Sequence, residues 1–235
     1  QIKTGNKEKE KEGLKLIIDS KEEKNVNAIN SYGLVIDNGL CGLPANKNEA
    51  AACFKEAAGA GNANAMYNYA KCLEKGNGVE KNFKEAYKYY KFAFERGEIR
   101  AAKNIANMLF NGDDKSGFPP HLESGNRYLK MLADYGNAAG INLYASNLLD
   151  GFGIDKNEKE AVYYLKNGIE KNDSNSLLLY GLFLLATKDA SIKKSTDPAA
   201  YIKKAVKLGN VKAKEKCDFY IKGGFNAERN LKEAI

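Results

Sequence analysis

The sequence predicts an all-α protein, a right-handed α/α solenoid (superhelix) of about six helix-pair repeats. Three observations lead to this prediction. A set of small and large residues recurs about every 37 residues, an Asn-x-x-Glu motif recurs between its copies, and proline occurs only in linkers or at a helix start. No alternation of apolar and polar residues, as in strands, is present. The 235 residues are 43% hydrophobic, which is ample apolar material for a packed core.

The first helix of each repeat is predicted from five positions, at offsets 0, 4, 5, 8 and 11 from a small residue. In the second copy these are Ala65, Tyr69, Ala70, Leu73 and Gly76. The first four offsets lie on one helical face, where small residues let a neighbouring helix approach and large ones fill the gaps. The glycine at offset 11 suits the left-handed backbone that ends a helix. The other copies begin at Ala28, Ala101, Gly140, Ser176 and Ala213.

The second helix of each repeat is predicted to begin at an Asn-x-x-Glu motif. The Asn side chain is expected to accept a hydrogen bond from the third helical amide, and the Glu to reach back to the amide of the Asn. Asp197-Pro198 marks a further start, and His121 occupies the equivalent place in the third copy as a poorer cap. The motifs begin at Asn46, Asn82, Asn157 and Asn230, and the second helices are predicted to stop at Gly61, Gly97, Gly136, Asn172 and Gly209.

The repeats follow one another without an obvious domain boundary, so we predict a single array over residues 1–235. Both of its ends are predicted to be incomplete. Residues 14–18 fit a second helix whose first helix is missing, and residues 230–235 begin a second helix that stops. Because a solenoid normally carries a polar cap at each end, we expect a segment of a longer protein. The predicted units are 25–61, 62–97, 98–136, 137–172, 173–209 and 210–235, after a partial pair at 1–24.

These repeats resemble the Sel-1-like repeat, a relative of the tetratricopeptide repeat. Residues 65–90 match its pattern closely, from Ala65 through Gly76-Asn-Gly-Val79 to Tyr89-Tyr90, and residues 148–165 match nearly as well. The loops 39–44, 111–120 and 187–196 depart from the pattern, either as ordinary drift or as partner contacts. The resemblance implies a non-catalytic scaffold or adaptor that binds other proteins as part of a larger complex or longer chain. It favours an intracellular location, in the cytoplasm or the endoplasmic reticulum.

No group of residues in the sequence points to catalysis, a cofactor or a metal. His121 is the only histidine, so the usual metal-ligand sets are missing. The four cysteines, which show no C-x-x-C pair, are expected to be reduced. Phosphate-loop and nucleophile-elbow motifs are absent. We therefore predict a protein that is not an enzyme. No apolar run reaches the about 20 residues that a membrane span needs.

The first helices are expected to line the concave side of the array, where a partner would bind. Asparagine amides on them offer donors and an acceptor for the backbone of an extended peptide, unless their abundance is only compositional bias. Tyr67 is expected to face outward as a contact residue, and Lys71 and Lys103 to meet a carboxylate. The candidate partner-binding residues are Asn64, Tyr67, Asn68, Lys71, Lys103, Asn104, Asn107, Asn142 and Asn147.

An uneven charge distribution supports an alternative function. The net charge is +7 at a sequence pI of about 9.0, and residues 188–235 carry 12 Lys/Arg against 6 Asp/Glu. This basic end would bind an acidic partner or nucleic acid, with lysines such as Lys203 and Lys204 on phosphates. The scarcity of arginine and the lack of an aromatic-lined basic stripe argue against nucleic acid.

Overall fold

The computed structural model describes residues 2–187 and 197–221, and this part of the chain is helical throughout apart from its connecting turns. One isolated bridge, between Asp113 and Phe118, is the β-type pairing found there. The all-α fold class is therefore confirmed. The helices are α1 (Ile2–Glu22), α2 (Val26–Asn38), α3 (Lys47–Gly59), α4 (Ala63–Lys75), α5 (Phe83–Glu95), α6 (Ala101–Asn111), a 3-10 turn (Asp114–Ser116), α7 (Leu122–Asp134), α8 (Ala138–Asp150), α9 (Glu158–Glu170), α10 (Ser174–Ala186), α11 (Pro198–Lys207) and α12 (Val211–Ile221).

Contacts divide the chain into two compact units, Gln1–Pro120 and His121–Ile235. Within the first unit each helix from α1 to α6 packs against the next one along the chain, and the same holds from α7 to α12 in the second. This adjacent packing is what tandem helical hairpins require. The division falls inside the third predicted repeat, between its two helices. The single array over residues 1–235 stays a prediction.

The repeating face of the first helices forms the core, as predicted. The residues at offsets 0, 4, 5 and 8 are buried in the second to fifth copies. In the first copy Tyr32 is half-buried, and in the last Ala213 is buried and Cys217 half-buried. The small residues permit close approach: a Cβ on Gly33 would lie 2.8 Å from Cε1 of Phe54. Small and large side chains therefore recur because neighbouring helices interlock along one apolar face.

The second helices are capped by their asparagines, but not by the predicted capping box. Asn46, Asn82 and Asn157 each accept from the amide three residues on, at 3.0–3.2 Å. The glutamate does not reach the amide of the Asn, because that amide donates to a carbonyl near the end of the preceding helix, at 2.9–3.0 Å. The glutamate carboxylate accepts instead from the side-chain amide of the Asn, at 3.1–3.4 Å. This half of the prediction was wrong, since the turn between the helices already uses the amide.

The remaining predicted boundaries agree with the structure where it describes them. Asp197 caps α11 by accepting from Ala199 at 2.9 Å, and His121 makes no capping bond with its side chain. Positive φ angles occur just past the helix ends, as at Gly76, where the backbone is left-handed. Gly112 differs, because its ψ of −168° leads into the irregular loop instead. The predicted start at Asn230 and most of the loop 187–196 lie outside the described residues.

The irregular loop 111–120 is an ordered turn that packs on α5. Asp113 accepts from the amide of Ser116 at 3.0 Å, and its backbone pairs with that of Phe118. The Phe118 ring lies 5.3 Å from the ring of Phe83 and 5.1 Å from that of Tyr87, both on α5. Through this aromatic contact the loop contributes to the packing of the first unit.

Candidate partner-binding surface

Polar caps at the starts of the first helices also connect neighbouring repeats. Asn62 accepts from the amide of Ala65 at 2.8 Å, and its own amide donates to Asn27 on α2 at 2.8 Å. Asn210 in the second unit likewise caps α12 and donates to Asn175 on α10 at 2.9 Å. Each cap satisfies an orphan helix amide and fixes one first helix relative to the previous one.

Three of the four candidate asparagines of the first unit have hydrogen-bond partners among the described residues. Asn68 is buried and donates to Asn30 on α2 at 2.9 Å. Asn104 is half-buried and donates to the hydroxyl of Tyr90 at 3.0 Å. Asn64 accepts from Arg100 at 2.7 Å. Asn107, by contrast, is exposed, so the four amides are not equally available to an extended peptide.

The candidates of the second unit are also used internally. Asn142 donates to Asp173 at 2.9 Å and accepts from Ser176 at 2.7 Å, which links α8 to the start of α10. Asn147 donates to Asn126, a buried residue of α7, at 2.7 Å. Because their amides already have hydrogen-bond partners within the fold, these two residues hold helices together in the second unit.

Glu98 and Arg100 form a cluster that the sequence analysis missed. Glu98, only 9% exposed, accepts from the backbone amide of Arg100 at 3.1 Å and from its Nε and Nη2 at 2.7 and 2.5 Å. A signal was present in the sequence: Gly97-Glu98 stands where other repeats have Gly-Asn. Since Glu98 replaces the capping Asn, α6 begins three residues after it, whereas α4 begins directly after Asn62.

Tyr67 packs against this cluster and is half-buried, and its role as an outward-facing contact residue stays a prediction. The guanidinium carbon of Arg100 lies 4.8 Å from the centroid of the Tyr67 ring, and Nζ of Lys71 lies 5.7 Å from it. The Tyr90 ring packs beneath at 5.7 Å. Burial raises the pKa of the Tyr67 hydroxyl, against the opposing effect of the Arg100 charge. The neutral ring is therefore a fixed platform for two cations.

Tyr90 supports the platform from the core. Its side chain is fully buried, and its hydroxyl donates to Oε2 of Glu74 at 2.6 Å while accepting from Asn104. Burial, and then the Glu74 carboxylate, raise the pKa of Tyr90, so its hydroxyl keeps its proton. This hydroxyl thus connects α4, α5 and α6 under the surface.

Half of the groups that remain available on α4 and α6 are cations. Lys103 and Asn107 are exposed, and no hydrogen bond or ion pair involves either among the described residues. The Arg100 side chain is 58% exposed, whereas the carboxylates of Glu98 and Glu74 are already bonded. We name this set the α4–α6 surface, and it consists of Asn64, Tyr67, Lys71, Arg100, Lys103 and Asn107.

Acid is expected to weaken the Glu98–Arg100 pair. The hydrogen bond from the Arg100 guanidinium lowers the pKa of the Glu98 carboxyl, although burial opposes it. A carboxyl with a lowered folded-state pKa stabilises the fold above its unfolded pKa of about 4.3, and this contribution is lost as pH falls through the folded value.

We therefore expect the stability difference between the unaltered chain and Glu98→Gln to shrink from about pH 4.5 to 3, as measured by urea unfolding. Glu80→Gln, which alters an exposed carboxyl, controls for the change of net charge. A difference that stays constant over this range would contradict the expectation.

The rest of the described chain offers no stronger site. A cavity of about 640 Å³ in the second unit is lined by residues that include Glu123, Arg127 and Lys130, but it is open and two of these residues pair with each other. Burial raises the pKa of the Cys72 thiol to about 11, which makes it a poor nucleophile. Within residues 2–187 and 197–221 no cluster of His, Cys, Asp and Glu is suited to a metal ion. No helix there has the length and apolar character for a bilayer crossing.

Comparison with known proteins identifies the repeat. The Sel1 repeat model matches residues 26–62, 63–98 and 138–173. The chain is similar to a Sel1 repeat protein from Oxalobacter formigenes, at 25% identity over 90% of this chain and 86% of that one, with a TM-score of 0.70. It shares its fold with c5321, a protective antigen of uropathogenic Escherichia coli, at 18% identity and a TM-score of 0.72. That match covers 89% of this chain but only 44% of c5321. No curated protein matches this chain.

Proposed function

Because residues 26–98 and 138–173 of this chain match three Sel1 repeats, we propose that it is a non-catalytic scaffold that binds another protein through the α4–α6 surface. The Sel1 repeat fold is a non-catalytic scaffold that generally mediates protein–protein interactions. The α4–α6 surface is the part of the predicted concave face that lies in the first unit.

One observation carries this proposal: exposed cations and an amide lie on the same two first helices as a fixed aromatic ring. Because Tyr90 and Arg100 already hold the Tyr67 ring in place, this side chain loses little conformational entropy when a partner binds to it. Lys103 and Asn107 are exposed on the next first helix. Aromatic and arginine side chains held in this way are the residues that most often dominate binding energy at protein interfaces.

The candidate residues then divide into two roles. Asn64, Tyr67, Lys71, Lys103 and Asn107 contact the partner. Asn68 and Asn104 position the helices that carry them, since their amides bond to Asn30 and Tyr90. Asn142 and Asn147 have the same positioning role in the second unit.

The test is the combined variant Lys71→Ala, Lys103→Ala and Asn107→Ala, which alters no side-chain hydrogen bond of the described fold. We expect it to lose at least tenfold in affinity for a partner captured from the native source, on the order of the loss of two or three interface contacts. A photo-crosslinker at position 107 should label that partner directly.

The matched control is Asn48→Ala, Lys55→Ala and Lys84→Ala, which removes the same chemical groups from exposed positions on the second helices α3 and α5. It should bind normally. Undiminished binding by the first variant, with its melting temperature unchanged, would rule out this surface.

The basic end gives a second candidate function. Lys203, Lys204, Lys207, Lys212 and Lys214 are all exposed on α11 and α12. Binding of an acidic partner or nucleic acid by these lysines should weaken steeply with salt, which a gel shift with RNA and DNA across a salt series would measure. Absent or salt-insensitive binding would remove nucleic acid from consideration.

A further inference from the structure

We propose, resting on the proposed function, that the α4–α6 surface recognises a carboxylate of an acidic protein segment, with Arg100 as the anchoring residue. The proposal depends on how Arg100 is held, on the cations beside it and on the carboxylates that are already occupied.

Three of the five N–H groups of the Arg100 guanidinium are used among the described residues. Its Nε and Nη2 donate to Glu98, and Nη2 also donates to Asn64. The two N–H groups of Nη1 remain without a described partner. With 58% of the Arg100 side chain exposed, Nη1 is accessible to a ligand.

The arginine is also held in place before any partner arrives. Three hydrogen bonds and the Tyr67 ring fix its plane. A planar donor that is already ordered loses little conformational entropy on binding, and a charge-assisted bond from it to a carboxylate is stronger than a neutral one. The Glu98–Arg100 cluster therefore presents the Nη1 donor in a fixed direction.

The charges around Arg100 favour an anion with few charges. Lys71 approaches the same Tyr67 ring, and Lys103 lies one helical turn beyond Arg100 on α6. Glu98 and Glu74 oppose them, so three cations and two carboxylates leave a net charge of +1. A single carboxylate matches this balance, whereas a polyphosphate backbone requires a longer basic stripe.

The experiment is a selection of random dodecapeptides displayed on phage, once with a free C-terminus and once embedded between flanking residues, against the whole chain. We expect the enriched peptides to share an Asp or Glu, or a terminal carboxylate. Replacing that side chain by its amide, or amidating the terminus, should weaken binding about 10- to 100-fold. The two display formats distinguish a side-chain from a C-terminal carboxylate.

Arg100→Gln should weaken the selected peptide by a similar factor and should abolish the difference between the acid and its amide. Lys103→Gln, whose side chain has no structural role among the described residues, should weaken it about threefold, on the order expected for one exposed charge. Lys55→Gln is the matched control and should change nothing. If Arg100→Gln fails to fold, the proposal is tested by a double-mutant cycle that combines Lys103→Gln with the change of the peptide acid to its amide. Purely additive losses of affinity would overturn the inference.

The outcomes separate the two proposals. Peptides that need the α4–α6 surface but show no acidic preference would overturn the carboxylate inference and leave the proposed function intact. Selected peptides that bind independently of Lys71, Lys103 and Asn107 would overturn both. Displacement of the peptide by a single-stranded oligonucleotide at lower concentration than by a free acidic peptide would also overturn the inference.

Discussion

Replacing Gly140 by alanine is expected to destabilise the second unit by about 1–3 kcal/mol, the usual cost of overpacking a tight core. The sequence alone suggests the opposite. The second and third copies have alanine, Ala65 and Ala101, at the repeat position of Gly140. In a helix interior alanine is favoured over glycine by about 1 kcal/mol.

The reason is the distance between α7 and α8. A Cβ on Gly140 would lie 2.7 Å from Cβ of Leu132 and 2.8 Å from the backbone nitrogen of Ala133. Backbone cannot rotate away as the end of a flexible side chain can, so α8 must shift. Both Leu132 and Ala133 are buried, which leaves no room for that shift.

The measurement is hydrogen exchange by mass spectrometry, which reports the opening free energy of α7, α8 and α9 separately from the first unit. Gly59→Ala is the control, because it lies at the end of α3 with nothing within 4 Å of the added Cβ. Gly59→Ala should be neutral or stabilising. Faster exchange confined to the second unit is expected for Gly140→Ala; protection equal to that of the unaltered chain would show that the helices can separate freely.

Tyr90→Ala is expected to cost about 3–5 kcal/mol, the range for removing a large buried aromatic side chain. The Tyr90 ring has no solvent exposure and packs against Tyr67. The substitution also leaves Glu74 and Asn104 without their shared hydroxyl. The substitution therefore removes the support of the Tyr67 ring and also creates a cavity in the core.

Tyr90→Phe isolates the hydroxyl. It keeps the ring but removes the bonds to Glu74 and Asn104, and we expect it to cost about 1–2 kcal/mol. Tyr163→Phe, at a ring that is 61% exposed, is the control and should change stability little. Urea unfolding followed by circular dichroism measures all three variants. A Tyr90→Phe variant as stable as the unaltered chain would mean that water replaces both bonds at no cost.

Local sequence patterns predicted most of the fold because they depend on neighbours within a helix. The spacing of Ala65, Tyr69 and Leu73 fixes which face is apolar, and Asn82 caps α5 through an amide three residues away. The Sel1 repeat follows from the same spacings. These interactions are set by the helical period, so they can be read from a single chain.

The candidate surface was only partly predictable, because its chemistry is decided by contacts between repeats. Nothing in the sequence shows that the amide of Asn68 donates to Asn30, 38 residues away. Lys103 and Asn107 lie on the same helix as Asn104, whose amide is bonded internally, yet both are exposed. No periodicity distinguishes an amide that faces solvent from one that faces the next helix.

The sequence by itself determined the helical hairpin, its length and its apolar face, since each depends on backbone geometry within about 40 residues. Only the tertiary structure decided which polar groups remain available, because hydrogen bonds between stacked helices consume donors in a way that depends on distance and angle. Arg100 shows the difference: the sequence shows the substituted cap Glu98 two residues before it, but only the structure shows that Arg100 donates to Asn64, 36 residues away, and lies against the Tyr67 ring.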